Sequence, residues 1–492
     1  LVFFSSGYAN DSIVSSQEEV IPSQKCESPI FSDLKIESKY SVGHEDYFWI
    51  YDTAISEYVE VFAKLLSVGQ YCYFYVDNRT INAIGEAALT ERCDEYAEEF
   101  DTVMYPVNLD FIGHPDGFIG DVDGDPKITI LLTPSCYGGV YLYKDDDPTH
   151  PYSNEREMFY ITPDRSDFYS IGTIIHEFNH LIWFNHEYDE AIFLLEGAAE
   201  LSIYHAGYLN NQNYLMSGYI PSYNLTWESY RFKFHPERSL LYWDYSSTEL
   251  TMASYGRAYM FALYLNERFG KDFIRDLVIT PEDGPLGIEI ALANRGYSLS
   301  FNDLYLNWVT ACVIDQPNIF DGYYGYSTAD FTIGKYTIIF ELPHYSDEIS
   351  HNLYGFDVKK IYNPPDELTF SIDNPNPYSL GIITIMKDVN GWSVTKALMT
   401  ETTEQLQVLI DGEEIETLYI ITSLMDPHTP SAASYLHSEL TAAHKELQYS
   451  IVEGLITKKV SIRLKKQIPF ILAPSLLLIV ILKKRKHRSK FF

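Results

Sequence analysis

The stretch IIHEFNHLIWFNHEYDEAIFLLEGAAELS, Ile174–Ser202, sets three histidines and six carboxylates into an otherwise apolar segment. Its apolar residues recur with helical period. Positions four apart on a helix lie one turn above each other, so His176 and His180 aim their imidazoles at one spot. Each imidazole can hold a zinc ion at about 2.0–2.1 Å. Glu177, beside that face, is placed to take a proton from a zinc-bound water. The preceding YSIGTII is small and apolar, as suits a helix buried behind a site.

A catalytic zinc keeps three protein ligands and one open position, and two residues compete to be the third. His186 lies six residues beyond His180, the spacing of the metzincin pattern HExxHxxGxxH. That pattern uses a glycine to turn sharply out of the helix, through a backbone conformation a side chain resists. Trp183 stands there, and Leu181 to Phe184 read as a helix that continues. Glu196, in LLEGAAELS, is the other candidate. A second helix returning after the polar turn Asn185 to Glu190 would bring Glu196 beneath the two histidines. Glu200, one turn further on, would then stand behind a ligand imidazole and hydrogen-bond it. Gly197 suits close helix packing next to the metal.

An HExxH followed by Glu-Gly-x-x-Glu resembles the gluzincin metallopeptidases, and more particularly the hyicolysin-like secreted peptidases. HEFNHLIWFN and LLEGAAELS carry the likeness, with Leu195 where those proteins usually have Asn or Asp. It extends upstream through DVDGDPKITILLT and YSNEREMFYI, and downstream through SYGRAYMFALYLNERFG, covering Tyr51 to Ile314. The resemblance implies one catalytic Zn2+ held by His176, His180 and Glu196, with Glu177 as the general base.

The chain has 492 residues and a net charge of -34. A field of that sign repels phosphate and excludes nucleic acid as a partner. Five scattered cysteines, Cys26, Cys72, Cys93, Cys136 and Cys312, do not make a disulfide scaffold. Asn78-Arg-Thr and Asn224-Leu-Thr are glycosylation sequons, consistent with a location outside the cell. Residues 1–9 read as the remnant of a signal peptide, and 10–45 as a linker. Helical spacing runs through Tyr51 to Gly69, Ile81 to Tyr105, Met252 to Gly270 and Ser300 to Ile314. YCYFYVD, GDPKITILLT and EREMFYI read as strands.

After about Ile319 short alternating runs broken by Pro, Asn and Gly take over, the pattern of a β-sandwich. The expected fold is therefore α+β: a zincin-type body over 46–317, a β-sandwich over 318–430 and a stalk over 431–463. The apolar run 464–482, closed by the basic residues of 483–492, reads as a transmembrane helix with a cytoplasmic tail. Asp121, Asp123 and Asp125 are ordinary turn chemistry, and Ca2+ is not expected. Tyr255, Tyr259 and His205 read as core or surface residues.

Taken together, these readings describe a membrane-anchored zinc endopeptidase facing the cell exterior, with protein or peptide substrates. Two alternatives remain: a non-catalytic surface adhesion or scaffold protein with a vestigial zinc site, and a metzincin-type peptidase using His186.

Overall fold

The computed structural model describes residues 37–113, 122–163, 167–187, 189–211, 222–374, 378–400, 405–411, 414–426, 428, 445–453 and 461–464. Two compact units emerge: Leu1–Asp189 with Ala198–Met216, and Glu190–Gly197 with Ser217–Phe492.

In the first unit, strands β1 (Glu45–Asp52), β2 (Glu57–Val68), β3 (Cys72–Asp77), β4 (Ile128–Leu132), β5 (Gly139–Tyr141) and β6 (Met158–Ile161) form one sheet in the order β1-β2-β3-β4-β6-β5. The centre is parallel (β3 with β4, β4 with β6), whereas both edges are antiparallel. Strands β3, β4 and β6 are buried along their whole length. That is why they read as continuous apolar runs with no alternation.

Helices α1 (Asn78–Ile84) and α2 (Glu86–Glu99) follow β3, and a π-helical turn (Phe100–Met104) leads into α3 (Tyr105–Ile112). Gly85, with φ +102°, separates the first two helices, so the helix expected over 81–105 is broken at its fifth residue. Helices α4 (Asp167–Phe184) and α5 (Ile192–His205) carry the quoted stretch.

The helix expected over Tyr51 to Gly69 is a hairpin instead. Asp52 pairs with Glu57 at the turn, and β2 alternates in burial, with Val61, Ala63 and Leu65 facing the core. EYVEVFAKL fits a period of 2 as well as one of 3.6, and the partner strands β1 and β3 decide between them.

Among the described residues, the second unit carries five helices beyond α5: α6 (Trp227–Phe232), α7 (Thr248–Phe269), α8 (Lys271–Val278), α9 (Gly284–Asn294) and α10 (Phe301–Ile314). Ser247 caps α7 and Ser300 caps α10, each through its side chain. Next come β7 (Thr337–Ile339), β8 (His344–His351), β9 (Phe356–Tyr362), β10 (Glu367–Asp373), β11 (Ser379–Asp388), β12 (Gly391–Met399), β13 (Gln405–Asp411), β14 (Ile415–Met425), β15 (Lys445–Glu453) and β16 (Ser461–Leu464). They build two five-stranded sheets, β16-β13-β10-β15-β8 and β12-β11-β14-β9-β7. Each is antiparallel except for one edge pair, β13 with β16 and β7 with β9. Strand β15 lies within the residues read as a stalk.

The fold class needs correction at the C-terminal side. The structure is α+β with mixed sheets, but among the described residues no helix is long and apolar enough to cross a membrane. Leu464, expected to open the span, instead ends β16, where it pairs with Ile410 of β13. Its backbone joins a sheet ladder, which an uninterrupted spanning helix cannot share. Residues 465–482 of the expected span and the basic tail lie outside the described residues, as do 1–9, Asp121 and Cys26. The other four cysteines are buried thiols that form no disulfide.

Candidate metal centre

Helix α4 packs on β5 and β6, and its rear face is fixed by aromatic and amide contacts. The Phe178 ring stacks on Tyr105 at 5.5 Å and meets Phe100 at 5.0 Å. Asn108 of α3, fully buried, donates from Nδ2 to the Ile175 carbonyl at 2.9 Å and accepts from Asn179 Nδ2 at 3.2 Å. An amide buried this deeply is costly unless hydrogen-bonded, so these bonds set the rotation of α4 about its axis.

The opposite face carries the histidines. His176 Nε2 and His180 Nε2 are 3.1 Å apart. Two nitrogens bound to one tetrahedral ion at 2.0–2.1 Å would lie about 3.3 Å apart, close to the observed separation. Ligand atoms of His176, His180 and Glu196 all fall within 4.8 Å of one another. His176, Glu177, Glu196 and Glu200 are each almost fully buried.

Glu196 and Glu200 are one turn apart on the single helix α5, so both side chains leave the same face. Glu200 Oε1 lies 3.3 Å from Nδ1 of His176. A carboxylate there favours the proton on Nδ1 and leaves the Nε2 lone pair facing His180. The donor set of two imidazoles and one carboxylate therefore fits zinc in number, spacing and chemistry.

Gly197, next to Glu196, has a packing role: a Cβ on it would sit 2.7 Å from the Ala258 carbonyl oxygen of α7. His186 is not in the histidine–glutamate group. It follows the end of α4, with its N–H donating to the Trp183 carbonyl at 2.9 Å. Helix α4 thus runs on past Trp183, and the sharp exit of a metzincin is absent.

Of the carboxylates assigned to the wet turn, Glu190 is buried, which corrects that reading. Its Oε1 accepts from the Ala191 N–H at 2.5 Å and from the Gly284 N–H, the first of α9, at 2.8 Å. Two backbone donors need an acceptor there, and nothing local in the sequence announces it. Asp123 and Asp125 do turn chemistry, accepting from the backbone N–H groups of Asp125 and Lys127. Tyr255 and Tyr259 are core residues: the Tyr259 hydroxyl donates to the Asn224 carbonyl at 2.7 Å, and Tyr255 meets Trp243 edge-on at 4.8 Å. His205 lies against Phe111 at 4.4 Å.

Gly139 is a site residue that the sequence reading missed. On β5, a Cβ at this position would be 2.4 Å from Thr173 Cγ2, 2.5 Å from Glu177 Oε1 and 2.6 Å from Glu177 Cγ. The glycine leaves the space that Glu177 occupies. The only sequence signal is the pair Gly138-Gly139 in a segment too short to register as a strand. Gly139→Ala should displace the Glu177 carboxylate and lower turnover about 100-fold, the scale of a 1 Å misplacement. Zinc content should not change. Full turnover in this variant would show that Glu177 can work from another rotamer.

No protein-family model matches the chain, and no curated protein matches it.

Proposed function

We propose that the chain is a zinc-dependent endopeptidase in which His176, His180 and Glu196 hold the metal and Glu177 is the general base. The observation that carries this reading is the convergence of the two imidazoles and the Glu196 carboxylate, with Glu177 on the same helix.

Zinc, when bound, supplies a Lewis acid that polarises a scissile carbonyl and lowers the pKa of water. The remaining work falls to the chain. Glu177 accepts a proton from the attacking water at its carboxylate and returns it to the leaving amine as the C–N bond breaks. Its burial and the close wall at Gly139 limit its rotamers, so the proton acceptor is held in place before substrate arrives.

Substrate positioning follows from the sheet. Among the described residues, strand β5 pairs with β6 alone and is the sheet edge next to α4. An unpaired edge offers alternating N–H and C=O groups to an extended peptide, so a polypeptide can lie alongside the helix that carries the base. Glu200, 3.3 Å from Nδ1 of His176, favours the tautomer that leaves Nε2 free to hold a zinc ion.

The test is elemental analysis of the purified chain together with casein hydrolysis, with and without a chelator. About one zinc per chain is expected, with hydrolysis that the chelator abolishes and added zinc restores. A chain that takes up zinc but cleaves no protein substrate would favour the non-catalytic scaffold. A chain that binds no zinc would overturn the reading.

A further inference from the structure

In the sheet β12-β11-β14-β9-β7 a row of side chains gathers on one face. Trp392 pairs directly with Lys387, Lys387 with Thr417, and Thr417 with Tyr362. Two residues along each strand, Tyr419 pairs with Lys360. Directly paired residues share a face, and so do residues two apart on one strand. Trp392, Lys387, Thr417, Tyr419, Lys360 and Tyr362 therefore stand on the same side.

Helix α10 covers this face further along: a Cβ on Gly381 of β11 would lie 2.8 Å from Leu306 Cδ2. The helix ends at Ile314, and beyond it the face opens into a cavity of about 400 Å³. Val313, Ile314, Thr332, Ile333, Gly334 and Tyr336 form one wall, and Lys360, Lys387, Trp392, Thr417 and Tyr419 form the floor.

The chemistry of this cup is unlike that of the chain around it. The chain carries 69 acidic and 35 basic residues, yet two lysines and no Asp or Glu line the cavity. Lys360 Nζ lies 5.0 Å from the ring centre of Tyr336, 4.7 Å from that of Tyr362 and 5.0 Å from that of Tyr419. Burial lowers its pKa, but the phenol oxygens of Tyr362 and Tyr419 more than offset this, so the amine stays a cation. Lys387 Nζ sits 5.4 Å from the Trp392 ring centre. The Trp392 and Tyr419 rings are 6.4 Å apart and tilted by 31°, a shallow aromatic trough between the two lysines. A cavity of this size suits a ligand of one or two rings.

We propose that this cup binds an acidic sugar, a pyranose bearing a carboxylate. The C–H face of the ring lies on the Trp392–Tyr419 trough, where electron-rich ring faces meet weakly positive hydrogens. The carboxylate is reached by Lys360 and Lys387, and the hydroxyls of Thr332 and Thr417 are available to the sugar's own hydroxyls. The proposal does not depend on the histidine–glutamate group.

The experiment titrates the full chain with D-glucuronate and follows tryptophan fluorescence, checked by calorimetry. D-glucose, acetate, tetraglutamate and an oligogalacturonate serve as comparison probes. Glucuronate should bind about tenfold or more tightly than glucose or acetate, because it alone combines stacking with ion pairing. Its affinity should fall with added salt. A further gain with the oligogalacturonate would identify the natural form as a polymer rather than a free sugar. Trp392→Ala and Lys360→Ala should each weaken binding about tenfold, while Trp392→Phe keeps most of it and controls for folding. Equal binding of acetate and glucuronate would reduce the cup to a simple anion site and overturn the sugar. Preference for tetraglutamate would replace the sugar with an acidic peptide. Absence of saturation by any probe would remove the site altogether.

Discussion

Glu177→Gln is expected to retain its zinc and lose about 10²–10⁴-fold in turnover, the usual contribution of a positioned general base. The substitution keeps the size of the side chain and its place beside Gly139, so neither the metal ligands nor the packing of α4 is disturbed. What disappears is the capacity to accept a proton, since an amide oxygen is far less basic than a carboxylate. The measurement pairs steady-state hydrolysis of a fluorogenic peptide with metal analysis of the same preparation. Near-normal turnover with zinc present would remove Glu177 from the mechanism. Loss of both zinc and turnover would mean that Glu177 is needed to hold the metal.

The second large effect separates the two candidates for third ligand. Glu196→Ala should abolish both zinc retention and hydrolysis, because only two imidazoles would remain. His186→Ala should leave zinc content and turnover close to the parent, since His186 follows the end of α4 and is not in the ligand group. Glu200→Gln should lie between them, costing about 10–100-fold in zinc affinity or activity, as expected for the partner of a ligand imidazole. Circular dichroism of each variant guards against unfolding, and Glu196→Gln provides a helix-neutral replacement. If His186→Ala loses the metal while Glu196→Ala keeps it, the assignment is reversed and the site is of the metzincin kind.

How much of this was legible beforehand varies with the range of the interaction. The i,i+4 spacing of His176 and His180 is a local property of one helix, and so is that of Glu196 and Glu200. Trp183 in place of glycine likewise implied that α4 would not turn toward His186. Where sequence reading failed, a distant partner made the decision. Tyr51 to Gly69 became a hairpin because strands β1 and β3 were there to pair with β2. The buried acceptor role of Glu190 depends on Gly284, far away along the chain. Leu464 was assigned to a spanning helix on composition, and its place in a ladder with Ile410 is a long-range pairing that composition does not encode.

By itself, then, the sequence determined the helical presentation of His176, Glu177, His180, Glu196 and Glu200, because each helix sets the spacing of its own side chains. Tertiary structure alone decided that Glu196 rather than His186 joins the two histidines, that Gly139 walls in Glu177, and that β5, among the described residues, is the sheet edge beside α4. Those outcomes depend on which surfaces of separate elements come to lie against one another. That choice is made by burial and backbone pairing over long stretches of chain, and no window of neighbouring residues contains it.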